Sequence, residues 1–315
     1  MTLSIRRIAL AGTLALALVA PACSSGGSDA AKAAPTDKAG SFPVQLETAE
    51  GTVTIKAEPV RIISLSPTAT EMLFAIEAGK QVKAVDDQSN YPADAPMTDL
   101  SGYTPNVEAV VGLKPDLVVV ADAVPELVDG LAKAKVPMLV LPAAETIKDS
   151  YAQIELLGQA TGHTAAAAKL VASMQSEIDK IVGSLPKRTT KPTYYHELDD
   201  TLYSATSKTF IGSLYSLAGL TNIADAADKD GSGYPQLSQE YLVSTNPDLI
   251  FLGDTKCCGQ SKTTVAARPG WSKLKAVTSG SVVELDDDIA ARWGPRIVEF
   301  LHAVTDAVAK QPVAK

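Results

Sequence analysis

The segment Glu108–Asp122 reads EAVVGLKPDLVVVAD, and Glu240–Asp254 reads EYLVSTNPDLIFLGD. Each opens on an acid, passes through a short apolar stretch to Pro-Asp-Leu, continues as a hydrophobic run and closes on Asp. Proline lacks the backbone donor that a helix interior needs, so Pro-Asp ends a helix and the apolar run enters a sheet. One phrase written twice, with about half the chain between the copies, predicts a helix–strand unit used at the same place in two similar lobes. A tandem array would repeat at shorter and more regular spacing.

The flanking text agrees. From Arg61, RIISL reads as a strand, TATEMLFAIEAG as a helix stopped by Gly79, QVKAVDD as a strand and VEAVVGL as a short helix. LVVVAD, the helix VPELVDGLAKAK and the strand PMLVLP follow. After Pro192 the pattern restarts: strand TYYHEL, helices TFIGSLYSLAG and EYLVSTN, strand LIFLGD, helix WSKLKAV and strand SVVELD. Strands alternating with helices imply α/β lobes with mostly parallel sheets. LVVVA and MLVLP are apolar on both faces, as covered strands should be. Between the lobes, Leu170, Met174, Ile178, Ile181 and Leu185 fall at steps of three and four, one face of a helix. A helix from Ala165 to Leu185, capped by Thr164 and preceded by a shorter one that breaks at Gly158 and Gly162, would span roughly 30 Å. It is a strut between lobes. The expected divisions are a leader over 1–22, a flexible tether over 23–58, a first lobe over 59–145, the connecting helix over 146–190 and a second lobe over 191–315.

Arg6 and Arg7 precede an uncharged apolar run ending at Ala20, then Pro-Ala-Cys. That is the build of a secretory signal, and at roughly a dozen residues the run is too short for a bilayer needing about 20. The small-residue exit onto Cys23, followed by a Gly/Ser/Ala-rich tether, resembles the lipobox of bacterial lipoproteins, in which that cysteine is lipidated. Plain secretion after Ala22 is the alternative. Lipid on Cys23 leaves only the adjacent Cys257 and Cys258. Neighbouring Cα atoms lie about 3.8 Å apart, short of the roughly 4.4–6.8 Å usual for a disulfide. A strained vicinal disulfide and two thiols both stay open. The net charge of −8 and the absence of Lys/Arg clusters argue against a nucleic-acid partner.

RIISLSPTATEMLFAIEAG followed by SNYPADA, VEAVVGLKPDLVVVAD, a helical spine and the late VVELDDDIAARWGPR resemble, in order and spacing, the class III substrate-binding proteins of ABC importers. The resemblance covers Val60 to Ala309. It implies two α/β lobes joined by one long helix, a metal chelate (ferric siderophore, cobalamin or haem) held in the cleft, no cofactor of the protein's own, and delivery by a monomer to a permease and its ATPase at the cell membrane. It also implies that Glu71 lies on the outer surface of lobe one and pairs with permease arginines. A capping box with Thr68 is the rival reading.

Ligands of open α/β sheets gather beyond the carboxyl ends of strands, here the loops Ser66–Thr68, Asp86–Pro92, Asp122–Pro125, Glu197–Tyr203, Asp254–Gln260 and Asp286–Trp293. Against the cobalamin binders, Tyr91 is retained, Tyr103 replaces a tryptophan and Gln88 replaces a tyrosine. In the late loop Asp288 and Arg292 are retained and Ile289 replaces an aromatic, with Trp293 close by. Glu197 and Tyr203 follow the first strand of lobe two and join the candidates. Aromatic faces suit a bulky chelate, and Arg292 suits acidic ligand groups. The changed aromatic contacts favour a ferric siderophore over cobalamin. His196 has no His cluster around it and reads as a packed strand-end residue, which places haem last. No G-x-S-x-G, H-E-x-x-H or Gly-rich phosphate loop supports an enzyme. A ligand-sensing lipoprotein is the other reading, since fold alone does not fix function.

Overall fold

The structure is a computed structural model describing residues 42–48 and 50–312. The leader, Cys23 and most of the tether lie outside the described residues. The end of the expected tether is not loose. β1 (Val44–Thr48) and β2 (Gly51–Ile55) pair as an antiparallel hairpin whose Leu46 and Ile55 are each 1 % exposed. The alternation in GTVTI carries that strand signal, and the turn beside it falls at Gly51, with φ of 112°.

In lobe one, β3 (Ile62–Leu65), β4 (Val82–Val85), β5 (Leu117–Val120) and β6 (Met138–Val140) form a parallel sheet in the order β4-β3-β5-β6. Around it lie α1 (Pro67–Ala75), α2 (Val107–Gly112) and α3 (Pro125–Ala134). In lobe two, β7 (Thr193–Glu197), β8 (Thr221–Asn222), β9 (Leu249–Leu252) and β10 (Val282–Glu284) repeat the arrangement as β8-β7-β9-β10, also parallel. Every residue of β3, β5 and β9 is buried, as strands covered on both faces require.

The duplicated phrase occupies equivalent places. In the second copy the helix is α7 (Gln239–Thr245) and the strand β9; in the first they are α2 and β5. Both helices are followed by a left-handed residue directly before the proline, Lys114 (φ 53°) and Asn246 (φ 48°). Asp116 then accepts from the amides of Val60 and Arg61, both at 2.9 Å. Asp248 accepts from the amide and hydroxyl of Thr193, again at 2.9 Å. In each lobe the aspartate of Pro-Asp fastens the start of the neighbouring central strand.

Between the lobes run α4 (Ile147–Thr161) and α5 (Thr164–Gly183). Gly162, at φ 82°, ends α4; His163 is the cap residue of α5 and Thr164 its first turn, so Thr164 is not the cap. Gly158 does not break α4. It lets α5 cross closely, because a Cβ there would lie 2.5 Å from that of Ala167. Lobe two adds α6 (Phe210–Leu217), α8 (Lys262–Ala267), α9 (Lys275–Thr278) and α10 (Asp287–Ala290), and α11 (Ile297–Ala309) closes the chain. WSKLKAV is not one helix: a single 3₁₀ turn at Trp271–Lys273 is separated from α9 by the extended Leu274. The strut is embedded rather than free-standing. One buried cluster runs from Leu46, Met72 and Val119 through Leu157, Met174 and Ile178 to Tyr215, Phe251 and Phe300. Each sheet also carries a smaller cluster on its other face.

Candidate functional site

Three strands of lobe one end side by side. After β3 the chain turns at Ser66, whose hydroxyl accepts from Ala69 N and caps α1. The capping box between Thr68 and Glu71 therefore does not form. Asp86 follows β4 at 1 % exposure, and Ala121-Asp122 follows β5. Gly102 passes so close that a Cβ would sit 2.7 Å from the Leu65 carbonyl and 2.8 Å from Asp86 Oδ2. These residues wall a cavity of about 310 Å3, closed from the other side by Asp288, Ala291, Arg292 and Trp293 of lobe two. That volume is at the lower end of small-molecule pockets.

An ion network joins the lobes beside the cavity. Arg292 Nη1 donates to Glu71 Oε1 at 2.7 Å, and its Nη2 donates to Gln88 O, Asn90 Oδ1 and Asp288 Oδ1 at 3.0, 3.1 and 2.9 Å. Arg296 Nε donates to Glu71 Oε2 at 2.9 Å, and its guanidinium lies 4.2 Å from the centre of the Tyr91 ring. Asn90 also donates to Asp288 Oδ2. Burial opposes ionisation of Asp288, but Lys256 and Arg292 outweigh it and hold the carboxyl below its usual range. Trp293 is pinned to α4, its Nε1 donating to Gln153 Oε1 and its carbonyl accepting from Ser150.

Gln88, Tyr103, Asp288, Arg292 and Trp293 come together on this cavity, with Tyr103 84 % exposed. Tyr91 stands beside it under Arg296. Other expectations are corrected. Glu71 is not on the outer surface: it is 3 % exposed and both oxygens are taken by Arg292 and Arg296, so no free carboxylate is offered to a partner there. Ile289 packs against the shared core. Tyr203, though exposed, does not line the cavity. Glu197 is fully buried, with both oxygens held by Arg268 at 2.6 Å. Cys257 and Cys258 are two exposed, unjoined thiols. His196 is 1 % exposed with Nδ1 2.9 Å from Tyr215 Oη, and burial lowers its pKa to about 3, so it stays a neutral packed residue. Behind Glu197, Asp254 is fully buried with no hydrogen-bond partner for either oxygen among the described residues. Burial and the nearby Glu197 raise its pKa to about 7. Among the described residues, no group of three or more His, Cys, Asp or Glu is placed to hold a metal ion.

Residues 62–289 match the family model described as a periplasmic binding protein. This chain belongs to that periplasmic binding protein family. The match begins with β3 and ends at Ile289, so it takes in both lobes. An ABC transporter substrate-binding lipoprotein of Bacillus subtilis, itself uncharacterised, is 31 % identical over 85 % of this chain and 86 % of its own. A cobalamin-binding protein of Halobacterium salinarum is 33 % identical over 93 % and 82 %. Among solved structures, a "possible" iron-binding, periplasmic solute-binding protein of Staphylococcus epidermidis superposes with a TM-score of 0.70 at 26 % identity, covering 81 % of this chain and all of that one.

In this periplasmic binding protein Asp86 and Asp122, which in sequence only open two of the expected strand-end loops, are themselves walls of the cavity. A signal was present. KAVDD and VVVAD both end apolar strand runs on Asp, where open α/β sheets present side chains to a ligand.

Proposed function

We propose that this chain is the cargo-binding component of an ABC importer. It holds a metal chelate of the ferric-siderophore or cobalamin class between its lobes and hands it to a permease and its ATPase. It is exported, anchored to the outer face of the cell membrane through lipid on Cys23, and acts as a monomer. It has no resident cofactor, because the metal arrives inside the cargo. No helix among the described residues is long and apolar enough to cross a membrane.

The observation that carries this reading is the cavity at the strand ends of lobe one, roofed by lobe two and lined by Tyr103 and Trp293. Flat aromatic faces with a few polar groups suit a bulky chelate. Family membership and the names of the Bacillus and Halobacterium relatives support the same conclusion. Intrinsic fluorescence tests it. Trp271 is 1 % exposed in the core of lobe two, so contact quenching by a chelate should come from Trp293 and fall sharply in Trp293→Phe. A panel of chelates giving neither quenching nor binding heat would overturn the proposal.

A further inference from the structure

The cavity wall is short of positive charge. Asp86, Asp122 and Asp288 line it beside Arg292 alone, an excess of two carboxylates. Adding the ions bonded to that wall, Glu71, Asp286, Lys256 and Arg296, leaves the same excess. Arg292 is not a free cation, since Glu71, Asp288 and two oxygens of the 88–90 loop already occupy it. Arg296 is turned onto Glu71 and Tyr91. At the back of the cavity Asp86 is 1 % exposed, and its Oδ1 has no hydrogen-bond partner among the described residues. Burial, the leading cause, raises its pKa, a cost that a nearby cation or donor would relieve. Partly buried charges are little screened by salt. Both oxygens of Asp288 are taken by Arg292, Lys256 and Asn90, so a polyanion entering here meets repulsion, whereas N–H donors and cations meet the carboxylates of Asp122 and Asp86.

We infer that this cavity selects chelates that are neutral or positively charged and carry N–H donors on their rim, and rejects polyanionic chelates. The inference rests on the cavity being the cargo site. It reverses the expectation that Arg292 favours acidic ligand groups, because that guanidinium is spent within the protein.

Calorimetric titration of the full chain with three probes tests it: cyanocobalamin, a neutral corrinoid rimmed by amides; ferrioxamine B, a cationic ferric trihydroxamate; and ferric enterobactin, a tris-catecholate trianion. At least one of the first two should bind more tightly than the trianion, by on the order of tenfold or more. Asp122→Asn, at an exposed site where folding is safe, should narrow that gap by roughly threefold. Asp86→Asn, checked for folding by its melting curve, should narrow it further. If it fails to fold, Asp122→Asn decides. Equal or tighter binding of the trianion by the wild type overturns the selection while leaving the cavity as a chelate site. A gap unmoved by Asp122→Asn also overturns it. Silence with all three probes overturns the cargo reading and this inference together.

Discussion

Asp122 and Asp254 close the two copies of one phrase at the tips of equivalent strands, yet they meet opposite surroundings. Asp122 is exposed at the cavity; Asp254 is sealed, with Glu197 and Arg268 beside it. The strand pairing locates the cause. Leu65 stands opposite Val120 in lobe one, and at the matching register lobe two sets Glu197 opposite Leu252. A carboxylate buried there requires a cation, which Arg268 supplies from the end of α8, and the salt bridge seals the strand tips. The fastening aspartates Asp116 and Asp248, by contrast, do the same task in both lobes. A repeat keeps what holds its sheet together, and its tips take their character from neighbours.

The largest test of that contrast is Arg268→Ala, which leaves Glu197 buried and unpaired and should cost about 3–5 kcal/mol in urea unfolding. Adding Glu197→Leu, the residue lobe one uses, should restore most of it; a single-variant loss below about 1 kcal/mol would break the comparison. Next comes Asp254. Its carboxyl has a pKa of about 7 in the folded protein against an ordinary 3.8, so between those values the native state binds the extra proton. Unfolding free energy should therefore fall as pH rises from 4 to 7 and level off above. Asp254→Asn should remove that slope and be more stable than wild type by roughly 2 kcal/mol at pH 8, with no gain at pH 4. Asp122→Asn, at an exposed position, should leave the unfolding free energy within about 0.5 kcal/mol of wild type. Smaller still, Asp116→Ala and Asp248→Ala should each cost about 1–2 kcal/mol, matching within about 0.5, by the same unfolding measurement. Unequal costs would mean the two fastenings are not equivalent. Last, Cys257→Ser and Cys258→Ser should change stability by less than about 0.5 kcal/mol. In the native protein Cys257, though exposed, should react slowly with a thiol reagent at pH 8, because partial desolvation of its sulfur together with Cys258 and Asp287 pushes its thiol up to about 12.

Most of the lobes could be read from residues alone, because parallel strands and their helices are written locally: LVVVA is apolar on both faces and Pro-Asp stops α2 and α7. The hairpin ahead of lobe one was hidden by the Gly/Ser/Ala-rich text before it, and its burial depends on α4, far along the chain. The site was legible only in part. The resemblance to cobalamin binders pointed to Gln88, Tyr103, Asp288 and Arg292, with Trp293 close by, and these share the cavity. Which carboxylate is free and which is sealed depends on Arg268 reaching Glu197 and on Arg292 and Arg296 reaching Glu71. Those partners lie 71, 221 and 225 positions apart, and no spacing rule spans such separations.

The apolar cluster shared by both sheets and the strut has a bearing on modularity. A chimera spliced within α5 would separate side chains such as Met174 and Ile178 from members of the cluster they share with both lobes, so the two halves are poor units of recombination.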